Sequence, residues 1–400
     1  MRFESLAALR ERQFRLLFTG QLISLLGDSF SGIALAFAVL DLTGSATDLG
    51  YVFAAKTIPL VGFLLVGGVF ADRLPRRAVM LTADVARLGS QGAVAVLVLT
   101  HTAQIWEIAA LQAVAGTASA FFNPASTGLT PLTISPERLQ QANGLRGLSM
   151  ASAGIVGTAI GGIVVTTVGP GWALAVDAAS FGFSAFYLAQ LRLPPHVKLP
   201  PQSFVADLHE GWREFSSRTW VWVIVLAASI GNMMGSVFSV LGVVISKESL
   251  GGPLAWALIV AAIGVGSLVG GIVSLRIHVR RSLFFGASLL GFLAIPSALL
   301  ALGAPAVVVA AGALLAGGSN MIFNALWETS LQRHVPVAAL SRVSAYDWFG
   351  SLAFQPIGLM LAGPAAAALG AKTTLWIASA GFLAVATLAV ATPSVRRLEG

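Results

Sequence analysis

Twelve apolar stretches, each near the roughly 20 residues that a bilayer's hydrocarbon demands, restrict this chain to few folds. They fall at about 15–40, 48–70, 77–100, 104–130, 139–168 and 171–191, then at about 219–246, 253–275, 280–302, 305–330, 340–367 and 370–391. In lipid every backbone N–H and C=O must be satisfied internally, and a helix does this within one segment. The expectation is an all-α membrane protein with twelve transmembrane helices. Composition agrees: 56% of the residues are hydrophobic and only 10% are charged, against roughly 25% charged in a soluble domain. The absence of cysteine excludes disulfides, thiolate catalysis and Cys-ligated zinc. The start, MRFESLAALRERQFR, is charged and amphipathic, so no removable signal peptide is expected there.

The net charge of +7 does not indicate a nucleic-acid partner, because the basic residues sit in small groups between apolar runs. Their distribution sets an orientation instead. With a cytoplasmic N-terminus, one side receives Arg2, Arg10, Arg12, Arg15, Arg73, Arg76, Arg77, Arg138, Arg146, Arg192, Lys198, Arg213 and Arg218. It also receives Arg276, Arg280, Arg281, Arg333, Arg342, Arg396 and Arg397. Lys247 and Lys372 fall opposite, while Lys56 and Arg87 lie within segments. The expected placement is a multi-pass protein of a bacterial plasma membrane with both termini cytoplasmic. Richness in Ala, Gly and Arg suits a GC-rich bacterial genome.

One long polar connection, 192–218, divides the segments six and six. It opens with the stiff, proline-rich RLPPHVKLPP and continues with FVADLHEGWREFSSR, whose Phe204, Leu208, Trp212 and Phe215 have helical spacing. That helix is expected along the inner membrane surface, as a connector. The domains are therefore a first bundle at 1–191, a linker at 192–218 and a second bundle at 219–400. The halves echo each other: GGVFADRLPRR (67–77) closes the second segment and GGIVSLRIHVRR (270–281) closes the eighth. Two pseudo-symmetric six-helix bundles suggest a duplicated transporter with its binding site near mid-membrane.

Gly68-x-x-x-Asp72-Arg73-x-Pro75-Arg76-Arg77 resembles the loop 2–3 signature of the major facilitator superfamily, with Pro75 where many members have Gly. The resemblance extends through RQFRLLFTGQLISLLGDSFSGIALAFAVLDLTGSATDLG, NPASTGLTPLTISPERLQQANGL, LHEGWREF and Leu331-Gln332 to Ser341-Arg342-Val343. These blocks are similar to the subgroup that contains the enterobactin exporter and actinobacterial drug-efflux proteins. The resemblance implies the major facilitator fold and a conformational latch at Gly68, Asp72 and Arg73, with Asp72 beside the start of the eleventh segment. A carboxylate at a helix N-terminus contributes about 0.3–1 kcal/mol, enough to bias a two-state equilibrium. Arg76 and Arg77 are expected to meet anionic headgroups, or to serve topology alone. Two departures stand out. Gln112, before Gly116, replaces an Arg frequent in proton-linked members, and Gly157-Thr158 replaces the Gly-Pro of many drug antiporters.

An ionisable residue inside a span is costly and so a candidate for function. Asp28 and Lys56 lie at similar depth by a rise of about 1.5 Å per residue, and could form a static ion pair or a site that trades Lys56 for a proton or a cationic substrate. Asp177 is a further protonation candidate or a partner of a neighbouring amide. Asp84 and Arg87 have the spacing of an internal helix pair. Asn320, Asn324 and Glu328 share one helix face, as do Asp347, Ser351 and Gln355, and each stripe must border a wet cavity or another helix. Gln21, Asp28, Asn232, Asn320, Asn324 and Gln355 are the substrate-cavity candidates. Asp347, at the start of its segment, is also a gate candidate with Arg76 and Arg77.

Other chemistries find no footing. GYVFAAKT (50–57) lacks the second glycine of a P-loop and runs through an apolar helix, where no phosphate cradle forms. The five histidines give no HExxH pattern or metal cluster, and no GxSxG elbow is present. The expected activity is alternating-access export of a small drug-like, natural-product or siderophore-like molecule, by proton antiport, without metal or cofactor. The expected partners are substrate, protons and membrane lipids, and the expected state is a monomer. An uncoupled facilitator or importer is the alternative, with an embedded enzyme or sensor more remote.

Overall fold

The structure, a computed structural model, describes residues 8–193, 204–277 and 279–398. Side chains at 68–73, 204–208, 210, 337, 338, 341 and 342 lie outside that description. The prolines of the linker fall outside it too.

Among the described residues there is no strand, and twelve helices are long and apolar enough to cross a membrane. The first six spans are α1 (Arg12–Thr43), α2 (Ala46–Arg73), α3 (Arg76–Leu99), α4 (Ile105–Leu129), α5 (Leu139–Val168) and α6 (Pro170–Ala189). After α7 (Phe204–Ser216) come α8 (Thr219–Ile245), α9 (Pro253–Ser274), α10 (Ser282–Leu289) and α11 (Ala294–Ala301). The last are α12 (Ala306–His334), α13 (Val337–Leu352), α14 (Gln355–Leu369), α15 (Ala371–Ala391) and the short α16 (Pro393–Arg396). The ninth span is α10 and α11 joined through a 3₁₀ turn at Leu290–Leu293, and the eleventh is α13 followed by α14.

The chain forms two compact units: Met1–Gly44 with Ala55–Pro201, and Ser45–Ala54 with Gln202–Gly400. The sequence-based bound at residue 191 assigns the whole second segment to the first half. The structure groups its opening turns with the second unit, where a methyl on Gly50 would stand 2.1 Å from the Leu359 carbonyl oxygen.

Glycine places the helices in both units, because lipid offers no hydrophobic force between them and close packing must. In the first unit α2 and α4 cross so tightly that a methyl on Gly67 would lie 2.3 Å from the Ala120 oxygen, and one on Gly116 would lie 1.9 Å from that of Lys56. In the second unit α9 and α12 repeat this, with 2.3 Å from Gly270 to the Gly318 oxygen and 1.9 Å from Gly266 to that of Leu314. Gly67 and Gly270 each open the paired glycines of the two echoing stretches. The turns before the sixth and twelfth spans also correspond: Gly169 (φ 91°) and Gly370 (φ 86°) each reverse the chain in one residue. Such positive φ values strain any other residue.

In the linker helix α7, Trp212 and Phe215 pack against Tyr346 of α13 at 5.7 and 5.8 Å between centroids.

Candidate substrate and coupling sites

The polar interior of the first unit is built on one face of α3, where Asp84, Arg87 and Gln91 recur at helical spacing and are all buried. Arg87 donates a hydrogen bond to Asp84 within that helix. It also reaches Asp28 of α1, Nη1 to Oδ2, at 3.7 Å. Its guanidinium carbon lies 4.1 Å from the Phe122 ring centroid and 4.4 Å from that of Phe181. Two aromatic faces thus hold the cation in place through their quadrupoles. Side-chain exposure separates the two acids: Asp84 is fully buried, whereas Asp28 is 35% exposed.

Asp28 therefore pairs with Arg87 and not with Lys56; among the described residues no ion pair joins Asp28 to Lys56. Depth alone suggests Lys56 as a partner, and equal depth does not fix which helix faces which. Asp177 accepts a hydrogen bond from Gln91 Nε2 at 3.1 Å, and Gln91 Oε1 accepts one from Gln112 Nε2 at 2.7 Å. Gln112, conspicuous in the sequence as a missing arginine, thus ends an amide relay to a buried carboxyl group. A methyl on Gly27 would stand 2.9 Å from Asp177 Oδ1, so glycine beside Asp28 is what admits that carboxyl group against α1.

A cavity of about 150 Å³ opens beside this network, lined among others by Gln21, Asp28, Arg87, Asn123, Ser126 and Arg146. Gln21 donates to Ser126 Oγ at 2.7 Å, and Arg146 donates to the same oxygen at 3.3 Å. Arg146, counted from the sequence among the cytoplasmic cations, belongs to this cavity wall. Its hydrogen bonds to hydroxyls of the α4 end draw it inward.

Arg76 and Arg77 are also engaged by protein. Arg76 donates to the Gly128 carbonyl at 2.6 Å, and Arg77 donates to those of Leu188, at 3.0 Å, and Ala189. They meet carbonyls in the last turns of α4 and α6, where a cation also suits the helix dipole. Gly68, Asp72 and Arg73 have side chains outside the described residues.

In the second unit both polar stripes border one cavity of about 340 Å³, whose wall includes Asn320, Asn324 and Glu328 of α12 with Asp347 and Ser351 of α13. Asp347 is buried within α13 rather than exposed at its start. It accepts hydrogen bonds from Trp327 Nε1 at 3.0 Å and Ser351 Oγ at 3.3 Å. Asn232 lines the cavity and also braces the break in the eleventh span, donating to the Ser351 carbonyl at 2.9 Å. Ser236 donates to the Gln355 carbonyl at 3.2 Å, and the Phe354 N–H donates to Ser229 Oγ at 3.2 Å. Pro356 has no N–H to continue the helix, and side chains of α8 bond backbone groups on both sides of the break. Gln355 is not part of the cavity wall; its place at the break turns it away from the stripe it shares on paper.

Sequence reasoning missed Arg87 as the partner of Asp28, and Gln91 and Trp327 entirely. The recurrence of Asp84, Arg87 and Gln91 on one face was a usable signal; nothing comparable pointed to Trp327. Among the described residues no group of histidines and acids could hold a metal ion.

The Multidrug efflux pump Tap of Mycobacterium tuberculosis (strain ATCC 25618 / H37Rv) is 28% identical over 407 residues, covering 94% of this chain and 93% of the pump. Macrolide efflux protein A of Streptococcus pyogenes is 20% identical and covers 97% of each. The crystal structure of nucleoside transporter NupG superposes with a TM-score of 0.76 at 13% identity, over 95% of this chain and 98% of that one, and so shares its fold. The family model described as transmembrane secretion effector matches residues 3–399; the chain belongs to that family of the major facilitator superfamily, and is a membrane transporter rather than an enzyme.

Proposed function

We propose that this chain exports a small amphipathic organic molecule across a bacterial plasma membrane by alternating access, coupled to inward proton movement. The observation that carries the coupling is the Asp28–Arg87–Asp84 constellation beside a cavity. Two carboxyl groups share one guanidinium, and only Asp28 is open to the cavity. A proton arriving at Asp28 releases it from Arg87 while Asp84 keeps the cation compensated, so exchange at Asp28 does not leave a buried charge unpaired. Asp177, buried and bonded to Gln91, is the second candidate for holding a proton, with Lys56 as a further intramembrane charge. Export as the direction is supported by the relatives named as efflux proteins. Both termini on the cytoplasmic side follow from the basic residues, and one chain containing both units needs no second copy.

Gly68, Asp72 and Arg73 form the conformational latch in this reading, and Asp347 is a gate candidate of the second unit. The test is transport in inside-out vesicles energised by a pH gradient, with a fluorescent drug as substrate. Asp28→Asn should abolish gradient-driven accumulation while retaining substrate binding in detergent. Undiminished accumulation in Asp28→Asn would remove the coupling role. Accumulation that ignores the gradient in the parent protein would make the chain an uncoupled facilitator.

A further inference from the structure

We infer that the cavity of the first unit is a subsite for an uncharged, hydroxyl-rich group such as a sugar ring. This rests on the export reading and gives its amphipathic substrate a glycosidic head. The charges at the wall cancel. Arg87 and Arg146 are matched by Asp28, also at the wall, and by Asp84, which is bonded to Arg87. A cationic group would meet two guanidinium groups, and an anionic one would meet Asp28. A neutral polar group meets neither penalty.

What remains at the wall is hydrogen-bonding capacity of both senses. Ser126 Oγ accepts from Gln21 and Arg146, which leaves its own proton to donate. Ser149 already donates to the Leu145 carbonyl at 2.8 Å, so its oxygen is left to accept. Gln21 donates through Nε2 and keeps Oε1 as an acceptor. Arg146 uses Nη1 on Thr130 and Nη2 on Ser126, and its Nε–H remains. Thr127 bonds the backbone carbonyl of Asn123, but among the described residues the Asn123 side-chain amide has no bond. That amide offers a donor and an acceptor side by side. A hydroxyl group both donates and accepts, so a ring bearing several of them matches this mixture. An ether or carbonyl oxygen can only accept, and an ammonium group can only donate.

Size and the apolar side agree. A volume of about 150 Å³ is below the roughly 300–1,000 Å³ of drug-sized pockets and about five times a water's share of the liquid. One hydroxylated ring fits that space, with the rest of the molecule outside. Phe18, Leu22, Leu25 and Met150 border the same cavity and give the apolar part a surface.

Naphthyl β-D-glucopyranoside tests this on the purified full-length protein in phospholipid nanodiscs free of glycosidic detergent. It should bind saturably above empty nanodiscs. It should also bind at least about tenfold tighter than its tetra-O-methyl ether, which keeps the ring without a hydroxyl. The glucuronide, with a carboxylate on the same ring, should bind no tighter. Asn123→Leu should weaken glucoside binding by about tenfold without changing the melting temperature. Ser149→Ala, which removes one acceptor, should weaken it by about threefold. Equal binding of glucoside and methyl ether, tighter binding of the glucuronide, or glucoside binding undiminished in Asn123→Leu overturns the inference. Vesicles that export a sugar-free dye while the protein ignores the glucoside keep the export reading and remove the sugar subsite. Glucoside binding that is lost in Asn123→Leu, without export of any probe, does the reverse.

Discussion

Asp28 and Arg87 stand 3.7 Å apart across α1 and α3, and the same guanidinium is already held by Asp84. Removing the Asp28 charge therefore strands nothing. Asp28→Asn is expected to melt within a few degrees of the parent in detergent while losing pH-driven export. Arg87→Met leaves fully buried Asp84 without its cation, a loss of about 3–5 kcal/mol, and should lower yield and melting temperature sharply. Adding Asp84→Asn to Arg87→Met should restore most of the stability. Equal thermal damage from Asp28→Asn and Arg87→Met would make the three residues one structural unit.

The helix crossings give a prediction that is independent of transport. Gly116→Ala and Gly266→Ala each put a methyl 1.9 Å from a carbonyl oxygen, and backbone cannot yield as a side chain can. Both variants should fold poorly, as read by size-exclusion profile and melting temperature. Gly62 and Gly89 have nothing within 4 Å of an added methyl. Alanine there should be neutral or stabilising, by up to about 1 kcal/mol from helix propensity. Similar behaviour of the two pairs would mean that the crossings are looser than these distances.

The contrast shows how much was legible before the structure. Span number and position follow from apolar length, because the bilayer sets one requirement for every segment; all twelve segments overlap the helices observed. The stripes of α12 and α13 were also legible, since helical spacing assigns residues to a face. Which face meets which helix is different. It depends on close contacts such as Gly27 against Asp177, which no single segment encodes. That is why depth alone suggests Lys56 beside Asp28, and why spacing alone joins Arg87 only to its neighbour Asp84. Asp347 was placed at a helix start because α13 begins at Val337, earlier than apolarity alone suggests.

Arg77 offers a test of the capping arrangement. Its Nε and Nη2 engage two successive carbonyls at the end of α6, a fork that lysine cannot reproduce. Arg77→Ala should destabilise by about 0.3–2 kcal/mol, and Arg77→Lys should recover only part of that loss. Cysteine accessibility at the chain ends should show unchanged orientation in both variants. A reversed orientation with normal stability would return Arg77 to the role of a topology signal.

At the foot of α1, Glu11 ties the chain to the turn before α5. It accepts from Ser135 Oγ at 2.7 Å, from the Ser135 N–H at 2.9 Å and from Arg138 Nη1 at 3.2 Å. The Ser135 hydroxyl, helped by the Ser135 N–H and the Arg138 charge, holds this carboxyl below its ordinary value of 4.5 against a smaller opposing effect of burial. A group lowered on folding adds stability above its unfolded pKa and loses it as pH falls through the folded one. The tie should thus be complete at neutral pH and fade only in acid more extreme than 4.5. Glu11→Gln keeps the shape but not the charge, so it should melt slightly below the parent at neutral pH, by under about 1 kcal/mol for so open a pair. The two melting curves should converge once the carboxyl is protonated. A gap that persists unchanged into strong acid would mean that Glu11 acts through its shape, with its charge contributing nothing.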